Sequence, residues 1–215
     1  VARDLDPDLL PFDAACRVLL GDDVVHIVSW DDPSVEWSHF DAVIIRSTWD
    51  YTERLGEFLD WVDSVAEVTR LINPADAVRW SADKRYLTAL RDEGIAITPT
   101  TYVAPGSPVP QVSGLHVVKP VVGAGSSGAR RCLDDEVAGH IATLHAEGRT
   151  AMVQPYLDLL DERGETSMCF VPGTGPSGLD LSHAFRKGAI LTSTDVEQEG
   201  GLFAKEEISP RTPTS

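Results

Sequence analysis

The sequence predicts an α/β domain followed by a larger α+β domain, and three observations lead to this fold class. Patterns typical of helices and strands alternate through residues 1–75, as in a small open unit with a parallel sheet. An apolar strand over 115–121 then leads into a loop of glycines and serines. Farther along, two strand patterns flank a connection rich in Gly and Pro. We therefore expect one domain over 1–75 and a second over 76–215.

The charge of the chain limits its partners. Its 215 residues include 18 Lys and Arg against 34 Asp and Glu, a formal net charge of −16. Nucleic acids and anionic membrane surfaces select clustered positive charge, so neither is an expected partner. No apolar run reaches the ~20 residues that cross a bilayer. The three cysteines have no metal-ligand spacing, and their odd number argues against a disulfide framework, which fits a reducing cytoplasm.

The elements of the first domain are predicted from apolar spacing. Residues 24–30 read as a buried strand and residues 42–45 as a second, short strand. A first helix, with Cys16 in the core, follows from apolar residues at helical spacing: Leu9, Phe12, Cys16, Leu19 and Leu20. A second amphipathic helix is marked by Leu55, Phe58, Val62 and Val65.

A polar and aromatic segment, Arg46-Ser47-Thr48-Trp49-Asp50-Tyr51, follows the 42–45 strand. Ligands of open α/β sheets bind at the carboxyl ends of the strands. We therefore expect substrate contacts from Arg46, Ser47, Thr48, Trp49 and Asp50, with Arg46 pairing with a carboxylate through two hydrogen bonds. The alternative is structural: Asp50 would cap the next helix with Glu53 completing a capping box, and Trp49 would lie in the core.

Lys84 is the next candidate for ligand binding. Residues 71–74 predict a strand that ends in a turn, and a helix follows with Ser81 as its N-cap and Gly94 as its stop. Lys84 would then lie in the first helical turn, where a cation opposes the helix dipole. This placement favours a lysine that reaches an anion such as phosphate. In the alternative, the neighbouring Asp83 simply neutralises it.

The strand over 115–121 carries Lys119 to the start of a glycine loop, which we define as residues 123–128. Gly123, Gly125 and Gly128 allow positive φ and close approach of a ligand to the backbone. Successive N–H groups in such a turn form an anion site, to which Ser126 and Ser127 add hydroxyl donors. Lys119 adds a positive charge for phosphate oxygens. The stretch therefore predicts a phosphorylated ligand.

Three other interpretations of this loop were weighed. A Walker A motif requires Lys and Ser or Thr after its last glycine, whereas Ala129 follows Gly128. The letters do satisfy the dinucleotide fingerprint G-x-G-x-x-G, but that motif must open a helix, and the next helix signal begins near Asp134. A plain glycine-rich hairpin with no ligand is the third interpretation.

The rest of the second domain is predicted as strands around one helix. The strand patterns cover 97–103, 150–157, 165–171 and 182–187, with the last two antiparallel. A helix starts near Asp134 and ends at Gly148, and 105–114 reads as a loop. From Gly188 the pattern weakens into a polar tail that shows no closing element.

These motifs, in this order, resemble the ATP-grasp superfamily. They also resemble its glutathione synthetase-like branch, which includes the O-ureido-D-serine cyclo-ligase of cycloserine biosynthesis. The residues that carry the resemblance are the segment 46–51, the phrase NPADAVRWSADKRYL, Lys119-Pro120, the glycine loop, the QPYL of 154–157, the GET of 164–166 and Arg186-Lys187. The fold implied is a pre-ATP-grasp α/β domain followed by an ATP-grasp domain of two lobes.

The resemblance implies an ATP- and Mg-dependent ligase. Such enzymes activate a small amino-acid-like carboxylate as an acylphosphate and form a C–N or related bond, which includes ring closure. It implies that Lys84 and Lys119 hold the phosphates and that the glycine loop closes over them. The backbone of Gln154, Pro155, Tyr156 and Leu157 would read adenine, and Glu165 would contact the nucleotide near the ribose. Arg186 would lie near the transferred phosphate or the substrate carboxylate, and it would be catalytic together with Lys119. Many relatives also pair through the first domain, which leaves a homodimer open for this protein.

The sequence departs from the family after Lys187. The family pattern continues into strands with Asp, Glu and Asn ligands for magnesium, and no such pattern is present here. No metal ligand is therefore assigned, Asp195, Glu197, Glu199, Glu206 and Glu207 included, and we expect the domain to be incomplete at its C-terminal end. Two alternatives follow: a non-catalytic nucleotide-binding module that has lost the metal site, and a dinucleotide-dependent oxidoreductase.

Overall fold

A computed structural model describes residues 9–191, 198–199, 203–204 and 207–212. Contacts divide the chain into two compact units, Val1–Ile95 and Ala96–Ser215. The first unit therefore extends past the domain border predicted after residue 75. That border was predicted between the domains of the family, and it stays a prediction. No helix in the described residues is both long and apolar enough to span a membrane.

The first unit is an α/β arrangement around a two-stranded parallel sheet. Its strands are β1 (Ala42–Ile44) and β2 (Arg70–Ile72), which pair in parallel. Helix α1 (Leu9–Leu20) precedes them, and α2 (Leu55–Val68) connects them. Helices α3 (Ala75–Ser81) and α4 (Tyr86–Asp92) follow. The strand–helix–strand order is that of a parallel crossover, as the alternating patterns predicted.

The apolar face of α2 forms the core of this unit. Phe58, Val62 and Val65 are buried, as their spacing predicted, and they pack with Trp30 and Leu71. The Trp30 and Phe58 rings meet edge to face, with centroids 5.5 Å apart. Burying side chains of this size supplies about 1.5–3 kcal/mol each, so this cluster holds β1 and β2 against the helix.

Three predictions for the first unit are wrong. Residues 25–29 form no strand, because among the described residues β1 pairs with β2 alone and 25–29 therefore have no strand to bond. The predicted apolar face of α1 is largely exposed, with only Leu9 buried, and Cys16 is half-buried rather than in the core. Ser81 ends α3 instead of capping a helix, since its hydroxyl donates back to the Val78 carbonyl.

The second unit contains a four-stranded sheet in the order β3-β6-β4-β5. The strands are β3 (Thr101–Val103), β4 (His116–Pro120), β5 (Arg130–Cys132) and β6 (Ala151–Pro155), and every pairing is antiparallel. Helix α5 (Asp134–Ala146) covers one face. Its Val137, Ile141 and Leu144 are buried with Val118, Cys132 and other apolar residues of that face. Strands 115–121 and 150–157 and the helix after Asp134 are thus confirmed, while 97–103 is a strand only over β3.

A three-stranded antiparallel sheet completes the described part of this unit. After α6 (Leu159–Arg163), strands β7 (Glu165–Pro172) and β8 (Leu179–Lys187) form the predicted hairpin. A later strand, β11 (Ile208–Pro210), pairs with β8, and two short strands, β9 (Gln198–Glu199) and β10 (Phe203–Ala204), pair with each other. The sequence pattern after Gly188 did not predict β11. The polar residues hid it, because β11 is exposed and carries no apolar alternation.

Candidate functional site in the second unit

Lys119 lies on the face of the four-stranded sheet that is opposite the one covered by α5. Strand residues alternate between faces, and Val118 belongs to the core against α5, so Val117 and Lys119 point the other way. Directly paired residues share a face, which adds Met152, Gln154 and Arg131 to this side. We call this surface, with Lys119, Arg131 and Gln154, the lysine face.

The ammonium of Lys119 is held in a half-buried environment. Burial lowers the pKa of Lys119, while the charge of Glu165 acts in the opposite direction and favours the protonated form. Two predicted nucleotide-binding residues are therefore close enough to interact, although Glu165 belongs to the other sheet. A lysine kept partly out of water has weak competition from solvent, so an anionic ligand would bind to it strongly.

The hinge segment, 154–157, runs from the end of β6 into α6. Gln154 is buried, and its amide donates to the Thr100 hydroxyl at 2.8 Å. The Tyr156 backbone N–H donates to the Leu115 carbonyl, whereas Leu157 is half exposed. No described group accepts the Leu157 N–H in a bond between backbone groups. This free N–H is compatible with the predicted reading of adenine, which stays a prediction.

Arg131 fixes this hinge and was not anticipated from the sequence. Its guanidinium lies 3.9 Å from the centroid of the Tyr156 ring and 3.4 Å from an Asp161 carboxylate oxygen. Asp161 also accepts a hydrogen bond from the Tyr156 hydroxyl. Burial and then this bond raise the pKa of Tyr156 to about 12, so the hydroxyl remains protonated and the contact persists at physiological pH.

The glycine loop connects β4 to β5 as the turn of a hairpin. Gly125, Ser126 and Gly128 have φ of 57°, 61° and 72°, so the positive φ predicted for Gly125 and Gly128 is confirmed. Gly123 does not share it; a Cβ there would lie 3.0 Å from the Pro120 ring, which is a packing reason for glycine. Ser126 in the left-handed region is uncommon for a residue with a side chain, and such strain concentrates at functional sites.

The strand after the loop decides between the interpretations of the glycine motif. β5 follows at Arg130 and pairs antiparallel with β4, so no helix opens inside the motif. A dinucleotide fingerprint requires that helix. The hairpin topology is therefore established. It agrees both with the plain hairpin and with a loop that binds phosphate, and the strained Ser126 favours the second.

Arg186 is engaged with backbone carbonyls. Its Nε donates to the Arg163 carbonyl at 2.7 Å and its Nη2 to the Glu162 carbonyl at 3.2 Å, which satisfies the end of α6. Arg211 also donates to the Arg163 carbonyl. Arg186 therefore stabilises the turn that begins β7, immediately before Glu165. The predicted contact between Arg186 and a transferred phosphate is untested by this arrangement.

In the first unit, segment 46–51 lies past the carboxyl end of β1, as predicted. Arg46 is exposed, its guanidinium is 5.1 Å from the centroid of the Phe12 ring, and it forms no ion pair with the described residues. Ser47 has φ of 59°, and its buried hydroxyl has no hydrogen-bond partner among the described residues. Thr48 and Trp49 are half-buried. A strained residue with an unpartnered hydroxyl, beside a cation, fits a binding segment.

The capping alternative for Asp50 is wrong. Asp50 lies inside a short 3-10 helix, Trp49–Thr52, and the N-cap of α2 is Arg54, which has no side-chain cap. Asp50 instead accepts a hydrogen bond from the Trp30 indole N–H at 3.1 Å and lies 3.4 Å from the Arg54 guanidinium. That guanidinium also lies 2.7 Å from an Asp31 oxygen, and this hydrogen bond is the main reason why the pKa of Asp31 is lowered. Asp50 therefore anchors the segment to the core rather than to the helix.

Lys84 lies in the connection between α3 and α4, not in a first helical turn. The helix predicted after Ser81 begins only at Tyr86, beyond Lys84, so the argument from the helix dipole does not apply. Asp83 bonds chiefly to the Arg85 side chain, 2.6 Å away, although the Lys84 charge also helps to lower the pKa of Asp83. Gly94, with φ of 81°, follows the end of α4, as the sequence predicted.

The second unit brings together Lys119, the glycine loop, the hinge segment and Glu165, while Lys84 and residues 46–50 belong to the first unit. No group of three or more His, Cys, Asp or Glu side chains that could hold a metal ion occurs in the described residues. Of the acidic residues after Lys187, Asp195, Glu197 and Glu206 lie outside the described residues.

Comparison with known proteins agrees with this architecture. A family model described as the N-terminal domain of D-cycloserine synthetase DcsG matches residues 2–73. The cycloserine biosynthesis protein DcsG of Streptomyces lavendulae is 38% identical over 205 residues, which cover 89% of this chain and 66% of that protein. This chain thus spans about two thirds of the length of that relative.

Two solved structures extend the comparison. The crystal structure of D-cycloserine synthetase DcsG superimposes with a TM-score of 0.77 and 32% identity, covering 98% of this chain and 72% of that one. An ADP complex of purK, an N5-carboxyaminoimidazole ribonucleotide synthetase, gives a TM-score of 0.55 at 14% identity, covering 76% of this chain and 42% of that one. The second likeness concerns the fold alone.

The mixed α/β architecture, with its glycine hairpin and second antiparallel sheet, is the fold of the ATP-grasp ligases. The resemblance noted in the sequence is therefore confirmed. More narrowly, this chain belongs to the D-cycloserine synthetase DcsG family.

Proposed function

We propose that the protein is an ATP- and Mg-dependent ligase that activates a small amino-acid-like carboxylate as an acylphosphate. The activated carboxyl group then forms a C–N or related bond, either with a second group of the same molecule, which closes a ring, or with another molecule. One observation carries this proposal: Lys119 stands on a sheet face beside the glycine loop and within electrostatic reach of Glu165. Cations and exposed backbone N–H groups in one place suit a triphosphate. The family's role in cycloserine biosynthesis makes an amino-acid-derived metabolite the expected product class.

The chemistry needs positioning and charge neutralisation more than a nucleophilic side chain. A carboxylate oxygen of the substrate attacks the γ-phosphorus of ATP, the bond to the ADP oxygen breaks, and an acylphosphate and ADP result. A substrate nitrogen then attacks the acyl carbon, inorganic phosphate leaves, and the proton of the nitrogen passes to solvent or a base. Lys119 and the loop N–H groups would hold the phosphates, and the closed loop would keep water from the acylphosphate.

The substrate would bind through the segment 46–51. The exposed Arg46 guanidinium offers two parallel donors that match a carboxylate. The buried Ser47 hydroxyl lacks a partner in the described part of the chain and would donate to the same group. Thr48, Trp49 and Asp50 would shape the surroundings. Lys84 would add a second cation for the phosphates, and Arg186 would act near the transferred phosphate. A cytoplasmic location and a homodimer belong to the same proposal.

Titration calorimetry tests this proposal directly. We expect this chain to bind ADP and a non-hydrolysable ATP analogue. Phosphate release from ATP that depends on an amino-acid-like carboxylate would support a ligase. Nucleotide binding without carboxylate-dependent phosphate release would instead favour the non-catalytic module. A folded sample that binds neither nucleotide would overturn the proposal.

A further inference from the structure

The middle of the glycine loop and its ends are held very differently. In and just after the loop, the Ser127 and Ala129 N–H groups donate to the carbonyls of Ala124 and Ser126 in turn bonds. The N–H groups of Gly125, Ser126 and Gly128 donate to no other described backbone group. The two ends, in contrast, are each bound by a side chain from outside the hairpin. The loop thus has a middle that offers donors and ends that are fixed.

The first end is held by Arg149, and the end of α5 explains its direction. Gly148 has φ of 73°, its N–H donates to the His145 carbonyl, and the Arg149 N–H donates to the Leu144 carbonyl. This is the Schellman pattern, which reverses the chain after a helix. From there the Arg149 guanidinium reaches the carbonyl oxygen of Val122, 3.2 Å away, immediately before the loop.

The second end is held by His140 from the middle of α5. The Nε2 atom of His140 lies 2.9 Å from the carbonyl oxygen of Gly128. A carbonyl only accepts, so Nε2 carries the proton and donates. His140 therefore fixes the last residue of the loop just before β5 begins at Arg130.

Gly128 is shaped around the same two anchors. Its φ is 72°, and a Cβ there would lie 3.2 Å from Arg149 Nη1 and 3.3 Å from the Pro120 ring. The Arg149 side chain thus packs across both ends of the loop, since it also lies 3.7 Å from the Cβ position of Gly123. Close packing at the ends leaves motion to the residues between them.

We propose that His140 and Arg149 are positioning residues that hold the two ends of the glycine loop, so that its N–H groups meet the β- and γ-phosphates of ATP. This inference rests on the proposed function. Neither residue touches the ligand. Each acts through a backbone carbonyl, and both lie on or just after α5, which is fixed to the sheet by its buried face. The rigid helix would therefore set where the loop closes.

The test compares nucleotides that do and do not reach the loop. We expect His140→Ala and Arg149→Met each to weaken binding of a non-hydrolysable ATP analogue about threefold to tenfold, the effect of one lost hydrogen bond. Binding of AMP, which lacks the β- and γ-phosphates, should stay unchanged. His140→Gln and Arg149→Lys keep a donor near the same carbonyls and should restore much of the affinity. Calorimetry on the intact chain measures all of these.

Two nearby residues supply matched controls. His145, on the same helix, donates to the Val103 carbonyl at 2.9 Å, away from the loop. His145→Ala removes an equivalent bond and should leave analogue binding unchanged. Glu147→Gln removes the 3.1 Å ion pair with Arg149 without touching the contact to Val122, and should behave in the same way.

The results separate this inference from the proposed function. Wild-type binding of the analogue with equal affinity in the His140→Ala and Arg149→Met variants would overturn the inference alone. Parallel losses of AMP and analogue binding would overturn it too, since they indicate a general structural effect. A wild-type chain that binds neither nucleotide would overturn the proposed function, and the inference with it.

Discussion

Replacement of Lys119 by methionine should lower the affinity for a non-hydrolysable ATP analogue about tenfold to a hundredfold, since charge-assisted hydrogen bonds contribute about 1.5–3 kcal/mol. Methionine keeps the apolar stem that lies on the sheet and removes the ammonium. The loss of affinity should be large because Lys119 is half-buried, and water screens its attraction to an anion less there than at the surface. Calorimetry against the wild-type chain measures the difference.

Arg91→Met is the control for removing a cation from the surface. Arg91 is exposed and pairs with its neighbour Asp92 at 2.9 Å, so its replacement should leave nucleotide affinity unchanged. Equal affinity of the wild type and the Lys119→Met variant for the analogue would remove Lys119 from the phosphate site. The candidate site would then lose the residue that carries the proposed function.

Lys119→Met should leave the protein at least as stable to unfolding as the wild type near neutral pH. Burial lowers the pKa of Lys119, so the folded state binds this proton less tightly than the unfolded state does. The wild type therefore becomes more stable as pH rises through the lowered pKa toward 10.5, the ordinary value for lysine, and the variant lacks this rise. Urea midpoints at about pH 7 and about pH 10 measure the two slopes. A variant that is markedly less stable at the lower pH would contradict this account.

Lys119 is half-buried, which costs stability, and sequence reasoning could identify this residue because strand periodicity is local. The apolar pattern of 115–121 predicted a strand that brings Lys119 to the glycine loop, and the structure confirms that strand as β4. The loop was predictable for a similar reason. Glycine tolerates positive φ because it has no Cβ, so Gly125 and Gly128 were predicted to have positive φ from the sequence.

Contacts between residues distant in sequence could not be predicted in this way. Asp50 bonds to Trp30, 20 residues away, and a helix-capping pattern nearby gave a more local but wrong explanation. Arg131 meets the Tyr156 ring through strand pairing that only the folded sheet defines. The missing strand at 25–29 has the same cause. An apolar segment becomes a strand only when another strand accepts its hydrogen bonds, and sequence patterns do not reveal the partner.

Gly164 lies immediately before β7, and we expect Gly164→Ala to destabilise the protein by about 2–5 kcal/mol. Its φ is 63°, which disfavours any side chain, and a Cβ would overlap the backbone carbonyl oxygen of Lys187. The same Cβ would lie 3.0 Å from Arg186 Nε. A backbone atom in a paired strand cannot move aside cheaply, so β7 and β8 must separate at this end. Denaturant midpoints of the variant and wild type measure the cost.

Gly178→Ala separates the effect of crowding from that of backbone strain. Gly178 lies just before the other strand of the same hairpin with φ of 70°, and nothing lies within 4 Å of its Cβ position. The Gly178→Ala variant should therefore lose only about 1–2 kcal/mol of stability, which is the cost of the left-handed conformation for a residue with a side chain. Because Glu165 follows Gly164, only the Gly164 variant should also bind ADP more weakly. Equal destabilisation of the two variants would mean that the strands do not approach at Gly164 as the structure shows, and the placement of Glu165 and Arg186 would have to be revised.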